Sequence, residues 1–389
     1  MHVLFHRTTP WKAPIRGSTN IFAQLFAEDG HAVTYMEGTA HLGHVVKRNR
    51  YGRSWKQGPR REDGAWVFTP LTPVPFMGTG AFATPEAADR SYRSASGAIR
   101  KAVEQGGQGT PDVLWVARPG ASALKDLFPD ALLAVQVVDY YPAFGGAHMQ
   151  ALERQDYARA DVIFSIGHAL TRYLTDELNV PASKIVTLGQ GVFNERFEPD
   201  SAAPSDLDGL PHPRAVWVGW TDKIDAALFE ETARVLGEQG GSVVLIGGIT
   251  DWARAYADRH PHVRLLGPRP PEETPALLVR CDIGLMLYDQ NRQAIYRGQH
   301  PLKLYEYAAA GLGIVSTPHD EFATLQPPVV TVERADQIGA ALQPLLAPTS
   351  DRREAQRAFA RSHDWQRVYE RARDALMSVG RRVRAEVRL

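Results

Sequence analysis

The stretch from Gly298 to Thr317 constrains the fold of this chain more than any other. Pro301 suits the first helical position, where its missing N–H would have had no partner, and Gly311 suits the left-handed residue that ends a helix. These two signals bracket a helix of about ten residues. Three alanines, Ala308 to Ala310, let that helix lie close to a neighbouring element, and residues 312–316 then read as a short buried strand. The unit is helix, tight turn, strand, as in a parallel α/β sheet.

On this helix Leu302, Tyr305 and Ala309 share one face, and Lys303, Glu306 and Ala310 share another. A helix start carries unpaired N–H groups and partial positive charge, which favours a phosphate, and Lys303 adds a full charge there. Glu306, one turn further in, can accept two hydroxyl hydrogen bonds. The same spacing also makes an ordinary Lys303–Glu306 salt bridge on a packed helix, and the residues alone leave both readings open.

The alternation extends in both directions. Strands are expected at 2–6, 31–37, 112–117, 131–138 and 161–166, with helices at 18–28 and 85–104. A second set has strands at 214–219, 242–247, 262–266 and 282–287 and helices between them. Residues 198–213 are rich in Pro, Ser and Asp, as a linker should be. With 389 residues, 44% of them hydrophobic, two domains are expected. They are placed at 1–195 and 214–360, joined by a linker at 196–213 and followed by a terminal helix at 361–389. Asp206 and Asp208 mimic a metal-binding pair, but their Pro-flanked setting reads as linker, and no metal is expected.

Lys+Arg and Asp+Glu both total 44, which argues against a dedicated nucleic-acid binder. The single cysteine, Cys281, cannot form an internal disulfide. No run approaches eighteen apolar residues, and the first strand begins too early for a signal peptide's apolar core. A cytoplasmic protein is expected, soluble or at the inner face of the membrane.

Local charge is less even. Residues 44–61 hold Lys47, Arg48, Arg50, Arg53, Lys56, Arg60 and Arg61 with no acid, interleaved with Tyr51 and Trp55. This irregular stretch suits an anionic lipid surface or a phosphorylated acceptor, or is a solvated loop. A second irregular stretch, 70–82, exposes Phe76, Met77 and Phe82. The loop after the first strand carries Arg7, Trp11 and Lys12, at the strand end where open α/β sheets bind ligands, but without a dinucleotide glycine fingerprint. Asp139 stands at the tip of the 131–138 strand, as a candidate general base or as a turn or helix cap.

The run Pro301-x-Lys303-x-Tyr305-Glu306-Tyr307, followed by a strand ending Ser316-Thr317-Pro318, resembles the donor-binding signature of group 1-like GT-B glycosyltransferases. Gly191-Val192 with Phe197 resembles their crossover between domains, with Phe193 where Asp is usual. The resemblance implies an α/β fold of two Rossmann-like domains facing each other across a cleft, with the terminal helix at 361–389 crossing back to the first domain. It implies transfer of a sugar from a nucleotide-diphosphate sugar, UDP- or GDP-linked, to a saccharide or lipid-linked acceptor in glycan or polysaccharide biosynthesis, without a cofactor. Donor contacts are implied at Gly219, Thr221, Arg269, Tyr288, Leu302, Lys303 and Glu306. Asp139 becomes the catalytic base, as in the similar xanthan-type glucuronosyltransferases, and Trp11, Arg53 and Trp55 become acceptor or membrane contacts.

The pattern is broken at Gly298, where retaining members commonly carry a glutamate separated by seven residues from the second. Inversion or retention, and the sugar, stay open. The alternatives are a nucleotide-sugar epimerase on the same fold and a non-catalytic nucleotide- or saccharide-binding protein.

Overall fold

Near-continuous apolar runs such as Val3 to Phe5 and Val243 to Ile246 are buried throughout, as parallel strands require. The computed structural model describes residues 1–389 apart from 14–16, 75–82, 198–204, 293–295 and 387–389. It divides into two units, Met1–Gly189 with the chain from Tyr369 onward, and Gln190–Val368.

The first unit contains β1 (His2–His6), β2 (Ala32–Met36), β3 (Arg60–Glu62), β4 (Ala65–Phe68), β5 (Val113–Val116), β6 (Leu132–Val137), β7 (Val162–Ser165) and β8 (Ile185–Thr187). They form one sheet in the order β3-β4-β2-β1-β5-β6-β7-β8, parallel except for the β3–β4 hairpin. Trp115 anchors an aromatic cluster, 4.6 Å from Phe164, 4.9 Å from Phe22 and 5.3 Å from Phe5 between ring centroids. The last helix, Trp365–Glu386, joins this unit at Tyr369, whose ring stands edge-on to Phe26 at 4.9 Å and whose hydroxyl donates to Asp29.

The second unit contains β9 (Arg214–Val218), β10 (Ser242–Ile246), β11 (Val263–Gly267), β12 (Ile283–Met286), β13 (Gly313–Ser316) and β14 (Val329–Thr331), ordered β11-β10-β9-β12-β13-β14. The chain runs outward along β9, β10 and β11 and then returns to the other side of β9. The reversal between β9 and β12 is the place where open α/β sheets bind ligands.

At that reversal the two strands share only the pairs Ile283↔Ala215 and Gly284↔Val216. Tyr307, from the Leu302–Ala309 helix, fills the gap beyond. Its hydroxyl accepts from the Val218 N–H at 2.9 Å and donates to the Leu285 carbonyl at 3.3 Å. Its ring lies against Gly284, where a Cβ would stand 2.4 Å from the ring. One phenol thus satisfies two backbone groups that the parted strands leave over.

Several local expectations need correction. Residues 44–61 are largely regular, with helices Leu42–Val46 and Arg50–Gln57 followed by β3. Their starts are capped by His41, which accepts from the Gly43 N–H, and by Asn49, which accepts from the Gly52 N–H. The 85–104 helix breaks at Ala95 into Pro85–Ser94 and Ser96–Gln105. Pro301 is extended, at ψ 126°, and precedes the helix, while Gly311 at φ +77° is the left-handed terminator. The units meet in sequence at Gly189–Gln190, ahead of 195. Phe76, Met77, Phe82 and residues 198–204 of the Pro- and Ser-rich linker lie outside the described residues. No described helix is long and apolar enough to cross a membrane.

Candidate active site

Lys303 sits in the first turn of the Leu302–Ala309 helix, over the crevice between β9 and β12. Its Nζ lies 3.5 Å from the centroid of the Trp217 ring and 4.8 Å from that of Tyr288. Trp217 belongs to β9 and Tyr288 follows β12, so one aromatic ring rises from each side of the gap. Gly219 closes the β9 turn at φ +132°, and a Cβ there would stand 3.5 Å from Nζ. The glycine leaves backbone open beside the ammonium.

Aromatic faces hold a cation but replace little of its hydration. Burial therefore depresses the Lys303 pKa well below the usual lysine range; Lys223 acts in the same direction and Glu306 opposes it. Burial likewise raises the Glu306 pKa, against the pull of Lys303 and Arg196. Neither side chain closes an ion pair among the described residues. The salt-bridge reading of this helix is thereby removed. A half-buried ammonium short of counter-charge, beside open backbone, is suited to an arriving polyanion.

The other expected donor residues divide. Tyr288 and Gly219 border Lys303, and Leu302 is half-buried beside it at the helix start. Thr221 is buried, and its Oγ1 accepts from the Thr250 N–H at 2.8 Å, tying the β9 turn to the β10 turn. It is a brace for the turn. Arg269 donates to Asp206 through Nη2 at 2.6 Å, which ties the turn after β11 to the chain ahead of β9. The same bond accounts for Asp206 in the metal-like pair.

In the first unit Asp139 follows β6 and is half-buried just ahead of the Pro142–Arg159 helix. Its charge, after burial, raises the pKa of Tyr141, whose hydroxyl is buried without a hydrogen-bond partner. Arg7, which also acts on Tyr141, donates to Thr19 at 2.7 Å and Thr9 at 3.1 Å. Asp139, Tyr141 and Arg7 thus gather at the C-terminal ends of β6 and β1. Trp11 belongs to the core, edge-on to Tyr35 at 5.2 Å with Nε1 donating to Asp63, which corrects its placement as an acceptor or membrane contact. Arg53 is exposed and donates to the Arg48 carbonyl, and Trp55 is half-buried.

Sequence reasoning missed Trp217, Tyr307 and the pair Leu42 and Val46, which stand 70% and 80% exposed on one short helix. Gly284 inside an apolar strand was a usable signal for Tyr307, since such a glycine marks a close approach.

Residues 222–376 match a family model described as glycosyl transferase-like. A putative teichuronic acid biosynthesis glycosyltransferase of Bacillus subtilis, TuaH, is 27% identical over 278 residues, covering 65% of this chain and 68% of the relative. The chain is a GT-B glycosyltransferase. Solved structures agree with the fold at low identity. A sucrose-phosphate synthase from Thermosynechococcus elongatus gives a TM-score of 0.68 at 12% identity, over 97% of this chain and 98% of that one. Anabaena HepE, solved with UDP and glucose, gives 0.65 at 12% identity, over 97% and 100%. The matched segment of the glycosyltransferase contains Tyr288, Lys303, Glu306 and Tyr307.

Proposed function

We propose that this glycosyltransferase binds the diphosphate of a UDP- or GDP-sugar at Lys303 and the Gly219 turn. Glu306 accepts the ribose hydroxyls, and the sugar goes to a saccharide or lipid-linked acceptor in polysaccharide biosynthesis. The observation that carries this reading is the Lys303 ammonium held on Trp217 and Tyr288 without a carboxylate partner among the described residues. A diphosphate supplies the missing counter-charge, restores the lysine's proton affinity and stabilises the leaving group as the glycosidic bond breaks. Binding therefore raises the depressed Lys303 pKa, so affinity should fall as pH rises through the range in which the free lysine gives up its proton.

Thermal stabilisation across UDP, GDP, ADP, dTDP and CMP tests the site. A ligand at a hundred times its dissociation constant adds about 2.7 kcal/mol. One diphosphate should stabilise the native protein and fail with Glu306→Ala; stabilisation by none would remove the donor site. Asp139, carrying a charge beside the unpartnered Tyr141, is proposed as the base that takes the acceptor's proton in an inverting transfer. Asp139→Asn should abolish turnover and keep nucleotide binding, and retained turnover rules the base role out.

We also propose that the Leu42–Val46 and Arg50–Gln57 helices rest on an anionic membrane. Leu42 and Val46 are exposed one turn apart within a segment that carries basic residues and no acid from 44 to 61. Sedimentation with phosphatidylglycerol vesicles checks this, and equal binding by a Leu42→Ser, Val46→Ser double variant refutes it.

A further inference from the structure

A cavity of about 470 Å³ opens in the second unit beside Lys303, and Tyr288 is the wall they share. The His319 and Tyr296 rings each stand 5.1 Å from that of Tyr288, and Thr317, Arg297 and Asp320 complete the lining. His319 and Tyr296 are each nine-tenths buried, yet His319 Nε2 and the Tyr296 hydroxyl have no hydrogen-bond partner. Buried polar atoms are normally paired, so two unpaired ones lining one cavity mark a place that a polar ligand completes.

The remaining groups define that ligand. Asp320, on the loop after β13, is tied to the loop before the donor helix, where the Gly298 N–H donates to its Oδ2 at 3.3 Å and Gly298 is left-handed at φ +69°. Burial and the nearby positive charges of Lys303 and His300 push His319 down to about 3, so its imidazole is neutral near pH 7. A neutral imidazole offers one donor and one acceptor, a phenol offers both, and a carboxylate only accepts. This set matches hydroxyl groups, each of which donates once and accepts besides. Arg297, the remaining charged group, is exposed at the rim.

We propose that this cavity receives the transferred sugar of the donor, a neutral hexosyl group whose hydroxyls are bound by Asp320, His319 and Tyr296. The inference rests on the donor reading of Lys303. A sugar joined directly to the phosphate that Lys303 holds must lie within one bond of that phosphate, and the cavity adjoins the lysine. Asp320 then serves as a specificity-determining residue in place of any carboxylate at position 298.

Calorimetry with UDP, GDP, UDP-glucose, UDP-galactose, GDP-mannose and UDP-glucuronate separates the two levels. The native protein should bind one nucleoside diphosphate and, more tightly, a neutral hexose conjugate of it. Asp320→Asn should weaken the conjugate at least tenfold and leave the free diphosphate within twofold. Tyr296→Phe, which keeps the packing and removes one hydroxyl, should weaken the conjugate several-fold in the same selective way. Parallel losses for conjugate and diphosphate, unchanged conjugate binding in both variants, or preference for the glucuronate would overturn the sugar pocket while the diphosphate site stands. Failure of the native protein to bind any diphosphate would overturn both.

Discussion

Both units bury tyrosine hydroxyls against polar groups, but they spend them differently. In the second unit Tyr307 bridges the Val218 N–H and the Leu285 carbonyl, so its phenol replaces sheet pairing where β9 and β12 part. In the first unit β1 and β5 stay paired through four registers at the corresponding reversal, from Val3↔Val113 to His6↔Val116. There the phenols of Tyr157 and Tyr173 both donate instead to the buried Glu153 carboxylate, at 2.7 and 2.9 Å. One arrangement opens a crevice with groups that do not titrate. The other packs a closed sheet around groups that do.

The largest effect should come from closing the space for the bridging phenol. Gly284→Ala sets a methyl against the fully buried Tyr307 ring and should cost about 3 kcal/mol. Urea denaturation should show the loss, and Tyr307→Phe, which unpairs two backbone groups, should lose less. An unchanged midpoint for Gly284→Ala would mean that the crevice does not depend on this contact.

The next effect depends on pH. Burial raises Glu153 from 4.5 to about 7 and Asp156 from 3.8 to about 6. As pH rises from about 4, the unfolded chain releases these protons before the folded one does, so stability falls until both groups have ionised near pH 7. The Glu153 share should be on the order of 2 kcal/mol, and Glu153→Gln should flatten the decline between pH 5 and 8. A native protein whose urea midpoint is constant over that range would contradict the carboxyl's protonation in the fold.

The smallest effect is a gain. Lys303→Met keeps the aliphatic stem on Trp217 and removes a poorly hydrated charge, so the unliganded protein should be stabilised by about 1 kcal/mol. The same variant should lose all stabilisation by diphosphates. Destabilisation without ligand would show that the ammonium serves the fold.

The helix that carries this contrast was legible because Pro301 and Gly311 punctuate it and its spacing pairs Lys303 with Glu306. Helical spacing does not say what a third side chain reaches across the sheet, so the part played by Tyr307 came only with the strands. The Leu42–Val46 and Arg50–Gln57 helices are only five and eight residues long, too short for a periodic pattern to stand out, and their order rests on His41 and Asn49 caps that periodicity does not register. Trp11 lies in a loop by sequence, but Glu37, which accepts from its backbone N–H, and Asp63, which accepts from its indole, draw it inward. Both partners are distant along the chain.

Tyr369 gives the molecule an unusual order of completion. It contacts Phe26 and Asp29, the latter 340 positions earlier, and the whole of Gln190–Val368 is synthesised between them. The Val192 N–H donates to the His363 carbonyl and the Trp365 N–H to the Val192 carbonyl, so the inserted unit zips its own entry and exit together. Emerging from a ribosome, the first sheet waits for a helix made after the whole inserted unit, which is contiguous and can close beforehand. Of the two units, the one begun earlier is thus finished later, and its uncovered Phe26 surface is the one a chaperone would have to guard.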